Sequence, residues 1–302
     1  MRKKILLLAN FSSGKGGGKT QLVSLIRELA LKGFETVSYP IIPDQGLTSD
    51  AILDNTSRDY EAILCCGGDG TLNYLVNYLV RNDLDIPVAY LPTGSCNDFA
   101  FSLYGKRTVT SQEIVEAIAA NRQFRYDLVR INDTCFNYVA AFGSFTGVSY
   151  KTDQNMKNTF GFLAYMLNAI SVAPKELGHS HHLVLKCDER TIEGDFLLGA
   201  ISNSTSVGGF TPSIIEHSKI DDGQFEVTLI SRTDNVRDLN ELVGSLLSGK
   251  PDNVLLTSFH ADHLTIDFDD ECEWTLDGEN GGIITHAEFS LLRERQKTFR
   301  LP

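Results

Sequence analysis

The sequence predicts an N-terminal α/β domain on a parallel sheet, followed by a C-terminal all-β sandwich domain. Three observations carry this fold class. Up to about residue 125, short apolar runs alternate with helical segments, the pattern of a parallel sheet. The runs "ILLLA", "EAILCC" and "IPVAYL" are apolar on both faces, as in strands covered by helices on each side. After Asp127 short alternating segments take over, separated by turn clusters such as "DDG", "DGENGG" and "VGGFTP".

The opening "MRKKILLLAN" imitates a signal peptide, but its apolar core, Ile5 to Ala9, is too short and no small-residue cleavage site follows. It reads as a first strand, 4–9. Further strands are expected at 35–39, 61–66 and 86–91, with helices at 20–32, 48–56, 71–81 and 111–120. The sandwich strands are "CFNYVAAFG", "HHLVLKC", "EGDFLLGAISN", "QFEVTLIS", "DHLTIDF" and "CEWTL", interrupted by helices near 160–172 and 235–248. The terminal "AEFSLLRERQKTFRLP" is read as returning to the first domain. The expected domains are therefore 1–127 plus about 288–302, and 128–287.

Charge narrows the function. The net charge of −12 opposes nucleic acid binding, since no basic stripe offsets such a field. It also opposes strong electrostatic attraction to anionic membranes, although a local basic patch is compatible with it. The six cysteines form no C-x-x-C, which fits reduced, buried thiols in a cytoplasmic protein. No apolar run reaches the ~18 residues of a membrane span. The nearest, "FGFLAYMLNAISVAP", is interrupted by Asn168 and closed by Pro174.

"SSGKGGGKT" (12–20) suggests a phosphate-binding P-loop, but its spacing fails. Counting back four residues from Gly18-Lys19-Thr20 puts Ser13 where the first glycine belongs. Two later junctions carry more. In "EAILCC-GGDGT-LNYLVNYLV", Gly67, Gly68 and Gly70 permit a tight turn, and the following helix points free N–H groups at it. Asp69 inside that anion site would repel phosphate unless a Mg²⁺ lay between them. In "IPVAYL-PTGSCND-FAFSLYG" another buried strand leads to Ser95, Asn97 and Asp98. Alone, Asn97-Asp98 reads as an ordinary N-cap. In a parallel sheet both loops emerge at the carboxyl edge, where ligands bind.

"GGDGT" (67–71) followed by "PTGSCNDFA" (92–100) resembles the diacylglycerol kinase catalytic domain family, which includes bacterial lipid kinases related to sphingosine and ceramide kinases. Asn10 to Lys15, "KIDDGQF" (219–225) and "LDGE" (276–279) resemble its other motifs in the right order. The resemblance implies a phosphofructokinase- and NAD-kinase-like α/β domain joined to the sandwich, with ATP and Mg²⁺ in a cleft between them. Asn10, Phe11, Ser12, Ser13 and Gly14 would contact ATP, as would Gly67, Gly68, Asp69, Gly70, Thr71, Leu72 and Asn73. Ser95 and Asn97 would join them. Asp69 and Asp98 would hold the catalytic magnesium, with Asp127 in its water network and Glu279 as general base. Asp222, with main-chain oxygens of Lys219 and Gln224, matches a structural magnesium site.

Phe11 stands where the family has Pro, Ser95 where it has Thr, and "YPIIPDQGLTSDA" replaces a Thr and Gly-Asp-Ala pattern. The expected activity is phosphoryl transfer from ATP to a lipid hydroxyl, diacylglycerol first, by a cytoplasmic protein docking transiently on membrane. The partners are thus nucleotide and lipid substrate, not nucleic acid. Monomer and homodimer stay open. A kinase of another lipid alcohol, an NAD-kinase-like metabolite kinase and a non-catalytic nucleotide- or lipid-binding regulator are the alternatives.

Overall fold

A computed structural model describes residues 3–10, 18–94, 97–143, 179–204, 218–247 and 253–302. Residues 11–14, Ser95 and the helix expected near 160–172 lie outside the described residues. The chain divides into two units, Met1–Tyr126 with Glu294–Pro302, and Asp127–Arg293.

The first unit carries four parallel strands in the order β2-β1-β3-β4. They are β1 (Lys4–Asn10), β2 (Glu35–Ile41), β3 (Ala62–Gly67) and β4 (Val88–Pro92). Between them run α1 (Gly18–Leu31), α2 (Ser49–Asp54) and α3 (Asp69–Arg81), and after β4 come α4 (Asp98–Tyr104) and α5 (Ser111–Ala119). Period-2 alternation puts Ile5, Leu7 and Ala9 on one face with Leu64 and Leu91, packed with Leu25 and Leu29 of α1 and Ile114 and Ile118 of α5. The alternate residues Leu6, Leu8, Ile63, Cys65 and Tyr90 are buried too, which accounts for the uninterrupted apolar runs. A capping box starts α5: Thr110 Oγ1 accepts from Glu113 N–H, and the Glu113 carboxylate accepts from Thr110 N–H. The C-terminal Phe299 joins this same core. Burial pushes the Cys65 thiol up to about 12, so this residue is an inert core group.

The chain runs outward from β1 to β2, then crosses to β3 and β4 on the other side of β1. The carboxyl ends of β1 and β3 therefore flank the point where the winding reverses, the ligand-binding position of such sheets.

The second unit is built on a nine-stranded sheet whose outer ends at 123–126 and 294–299 count with the first unit. Its strands are β5 (Gln123–Ile131), β6 (Thr134–Phe136), β7 (Val139–Gly143), β8 (His181–Cys187), β9 (Arg190–Ser202), β10 (Phe225–Ser231), β11 (Leu256–Ala261), β12 (His263–Leu276) and β13 (Glu279–Phe299). Both β7 and β8 pair with β9 and with β12, at different stretches of those long strands. The sheet thus folds back on itself and encloses its own core. There Trp274 meets Phe142 at 5.0 Å and Phe289 at 5.5 Å between ring centroids. The helix α6 (Val236–Leu247) buries Leu239 and Leu242. Among the described residues no helix is long and apolar enough to cross a membrane.

"DHLTIDF" and "CEWTL", read as two strands, form the single strand β12, whose register shifts between Asp267 and Cys272. The shift absorbs the consecutive exposed residues Asp269, Asp270 and Glu271, so that both flanks keep their apolar faces inward.

Glu226 is buried in β10, with Ser218 Oγ donating to its Oε1 and Ser202 Oγ 3.4 Å from Oε2. Burial pushes its carboxyl up to about 7. A carboxyl raised by folding binds its proton more tightly in the folded state. Its contribution is therefore fully present below the unfolded value and is lost as pH rises to about 7. Glu226→Gln should flatten that decline and gain on the order of 2 kcal/mol at about pH 8. Urea denaturation of both proteins at acid and alkaline pH checks this; equal pH slopes would refute it.

Candidate active site

The carboxyl ends of β1, β3 and β4 bring together those predicted phosphate-binding residues of the first unit that the structure describes, Asn10, the Gly67–Thr71 loop and Asn97. Asn10 ends β1, and its Nδ2 donates to Thr71 Oγ1 at 2.9 Å. The loops after β3 and β4 are joined where Thr93 N–H donates to Gly67 O at 2.8 Å. They also touch backbone to backbone: a Cβ on Gly94 would lie 2.6 Å from Gly68 Cα and 2.9 Å from Asn97 Oδ1. No side chain fits there. Gly94→Ala should push the loops apart, costing roughly 1–3 kcal/mol and at least about tenfold in turnover. Thermal denaturation and a kinase assay on one preparation test both effects, and wild-type values in each would refute the close approach.

Gly68 holds the N-cap position of α3, so Asp69 opens the helix. Its carboxylate is largely buried, with Oδ1 accepting from Tyr90 OH at 3.1 Å and Oδ2 from Asp98 N–H at 3.1 Å. Asp69 and Asp98 are thus linked through one hydrogen bond, although 29 residues separate them. Asp98 is also buried, and Arg107 Nη2 reaches its Oδ1 at 3.1 Å.

Asn97 does not cap α4 with its side chain. It occupies the N-cap position of α4 but makes no capping bond, because its backbone is left-handed at φ 54°. Its amide instead donates to Gly94 O at 3.1 Å and Arg107 O at 3.4 Å. Its Oδ1 is buried with no hydrogen-bond partner among the described residues. Leu72 turns into the core and its N–H goes to Gly68 O, while Asn73 Oδ1 accepts from Asn77.

In the second unit Asp127 is buried and ties down the 219–224 turn. Its N–H donates to Ile220 O at 2.7 Å, and its Oδ2 accepts from Gly223 N–H at 2.9 Å. Asn203 Nδ2 holds the Asp127 carbonyl at 2.8 Å. The Asp222 carboxylate accepts from Lys219 N–H at 3.2 Å and Gln224 N–H at 3.1 Å. It therefore faces the main-chain amides of the two residues whose oxygens the resemblance named. Among the described residues no group of three His, Cys, Asp or Glu gathers as a metal site.

Glu279 opens β13 directly after a turn in which Asp277 has φ 50° and Gly278 φ 85°. Two successive positive φ values are what Asp-Gly hairpin turns supply. Asp277 is buried and accepts four hydrogen bonds, from Asn137 N–H and Nδ2, Tyr138 N–H and Val139 N–H. That anchor fixes the turn presenting Glu279. Glu279 keeps accessible surface, yet neighbouring atoms crowd its carboxyl. Lost hydration, then the Asp277 charge, raises it above its ordinary value.

Sequence reasoning did not find Tyr90, Arg107 or Asn203. Tyr90 reads as one more core residue of an apolar strand, and Arg107 and Asn203 sit in loops without a motif.

The family model of the Diacylglycerol kinase catalytic domain matches residues 4–131. A "Diacylglycerol kinase" of Staphylococcus saprophyticus is 26% identical over 99% of this chain and 96% of its own length. That of Staphylococcus haemolyticus is 28% identical over 97% of this chain and 87% of its own. Two solved Bacillus anthracis structures superpose over 100% of this chain and 96% and 98% of theirs, with TM-scores of 0.81 and 0.77. The second is described as a diacylglycerol kinase. At 22% and 21% identity these two establish the fold. The chain is thus similar, through residues 4–131, to the diacylglycerol kinase catalytic domain and, along nearly its whole length, to diacylglycerol kinases, which indicates a diacylglycerol kinase-like enzyme.

Proposed function

We propose that this protein transfers the γ-phosphoryl group of ATP to a lipid hydroxyl, with diacylglycerol as substrate and phosphatidic acid as product. The observation that carries the reading is the linked Asp69–Asp98 pair beside two glycine loops at the carboxyl edge of a parallel sheet. The "Diacylglycerol kinase" relatives supply the substrate.

The donor set suits magnesium. Two buried carboxylates are hard oxygen ligands of the kind magnesium shares with substrate phosphates. The buried Asn97 oxygen, without a donor among the described residues, adds a third oxygen at the junction that carries Asp98. Asp69 and Asp98 would hold the ion, which would neutralise charge developing on the transferred phosphoryl group. Asn10 and Thr71, hydrogen-bonded to each other, flank the glycine loop that would receive the phosphates. Asp127 fixes the 219–224 turn through Gly223. Glu279 would accept the proton of the attacking hydroxyl, and its raised carboxyl makes it a stronger base than an ordinary glutamate. The lipid is reached by transient docking on the membrane surface.

Transfer of label from γ-labelled ATP into a total lipid extract, with product identification, tests the assignment. Labelled phosphatidic acid is expected. Label in another lipid would change the substrate; label in NAD alone would point to a metabolite kinase; ATP binding without turnover would indicate a regulator.

A further inference from the structure

Asp98 is almost wholly enclosed, with 2% of its side chain exposed, and a carboxylate so placed needs a counter-charge. Arg107 supplies one from the loop after α4. Its Nη2 and Nε lie 3.1 and 3.4 Å from Asp98 Oδ1, both on the same oxygen. The guanidinium also lies 4.9 Å over the Phe101 ring, which sits three residues after Asp98 and so on the same face of α4. Asn97 Nδ2 donates to the Arg107 main-chain oxygen, tying this loop to the strand–helix junction that carries Asp98. Arg107 keeps 37% of its side chain exposed, so it has room to move away from Asp98.

From this geometry we propose that Arg107 is a resident counter-ion that competes with the divalent cation for Asp98, setting metal affinity and giving up its hold when the metal binds. The inference rests on the reading that Asp98 holds a divalent ion. A guanidinium and a divalent cation on one carboxylate repel each other in a site from which water is largely excluded. The arginine must therefore yield, and the work of displacing it weakens metal binding. The cation–π contact that the guanidinium already makes with Phe101 does not use Asp98, so it can hold the side chain when the Asp98 contact is given up.

Free Mn²⁺, followed by electron paramagnetic resonance in titrations of the full chain without nucleotide, reads the affinity directly. Arg107→Gln should bind Mn²⁺ at least about tenfold more tightly than wild type. Its melting temperature should be lower without metal and should rise more than that of wild type on adding Mn²⁺. Arg107→Lys retains a charge but loses the planar fork, so it should fall between the two and serves if the glutamine variant does not fold. Asp98→Asn is the control and should lose most Mn²⁺ binding. Equal or weaker binding in Arg107→Gln, with the control still lost, overturns the role of Arg107 alone. Binding unaffected by Asp98→Asn, or absent from every protein, overturns both this inference and the metal reading beneath it.

Discussion

Asp69→Asn is expected to lower turnover by about 10²–10⁴ while leaving the fold intact. The fold survives because asparagine satisfies the same neighbours. Its amide oxygen can accept from Asp98 N–H, and its amide nitrogen can donate to the Tyr90 oxygen, both 3.1 Å from the present carboxylate. What disappears is one of two buried negative charges beside the glycine loop, and with it the attraction for a divalent cation. Each tenfold in rate corresponds to about 1.4 kcal/mol, so losing several kcal/mol of charge stabilisation gives the stated range. Parallel kinase and thermal denaturation assays check the result. Wild-type turnover would remove Asp69 from the mechanism, and a protein that fails to fold would show that its role is structural.

Glu279→Gln should also cost about 10²–10⁴, because a general base is lost while the turn that presents it is kept by Asp277 and Gly278. The wild-type pH profile carries a further mark of the same group. Only the ionised carboxyl accepts a proton, so activity rises with pH through the Glu279 pKa and then levels. Desolvation, then Asp277, raises that pKa, so the acid limb should lie above that of an ordinary carboxylate. An acid limb at or below the ordinary position, or one unchanged in the residual activity of Glu279→Gln, would assign it to another group.

The parallel sheet was legible because β1, β3 and β4 are buried on both faces, and runs such as "ILLLA" have few other soluble uses. The glycine loops were legible because glycine is needed wherever backbones touch, as at Gly68 and Gly94. Contacts between distant residues were not. Tyr90 is 21 residues from Asp69, and its hydroxyl says nothing in the sequence about where it donates. Asp277-Gly278 announces a turn, but the four bonds that anchor Asp277 come from residues about 140 positions earlier. The single strand β12 was hidden because a register shift breaks the alternation that reveals strands. Arg107 had no signal at all, since a polar loop carries arginines for many reasons.

The most direct test of the central claim is transfer of γ-labelled phosphate from ATP to diacylglycerol in vesicles by the purified chain, with and without magnesium, beside Asp69→Asn. The expected result is magnesium-dependent formation of phosphatidic acid that Asp69→Asn nearly abolishes. No transfer to diacylglycerol, or transfer that survives both chelation and loss of the Asp69 charge, would contradict it.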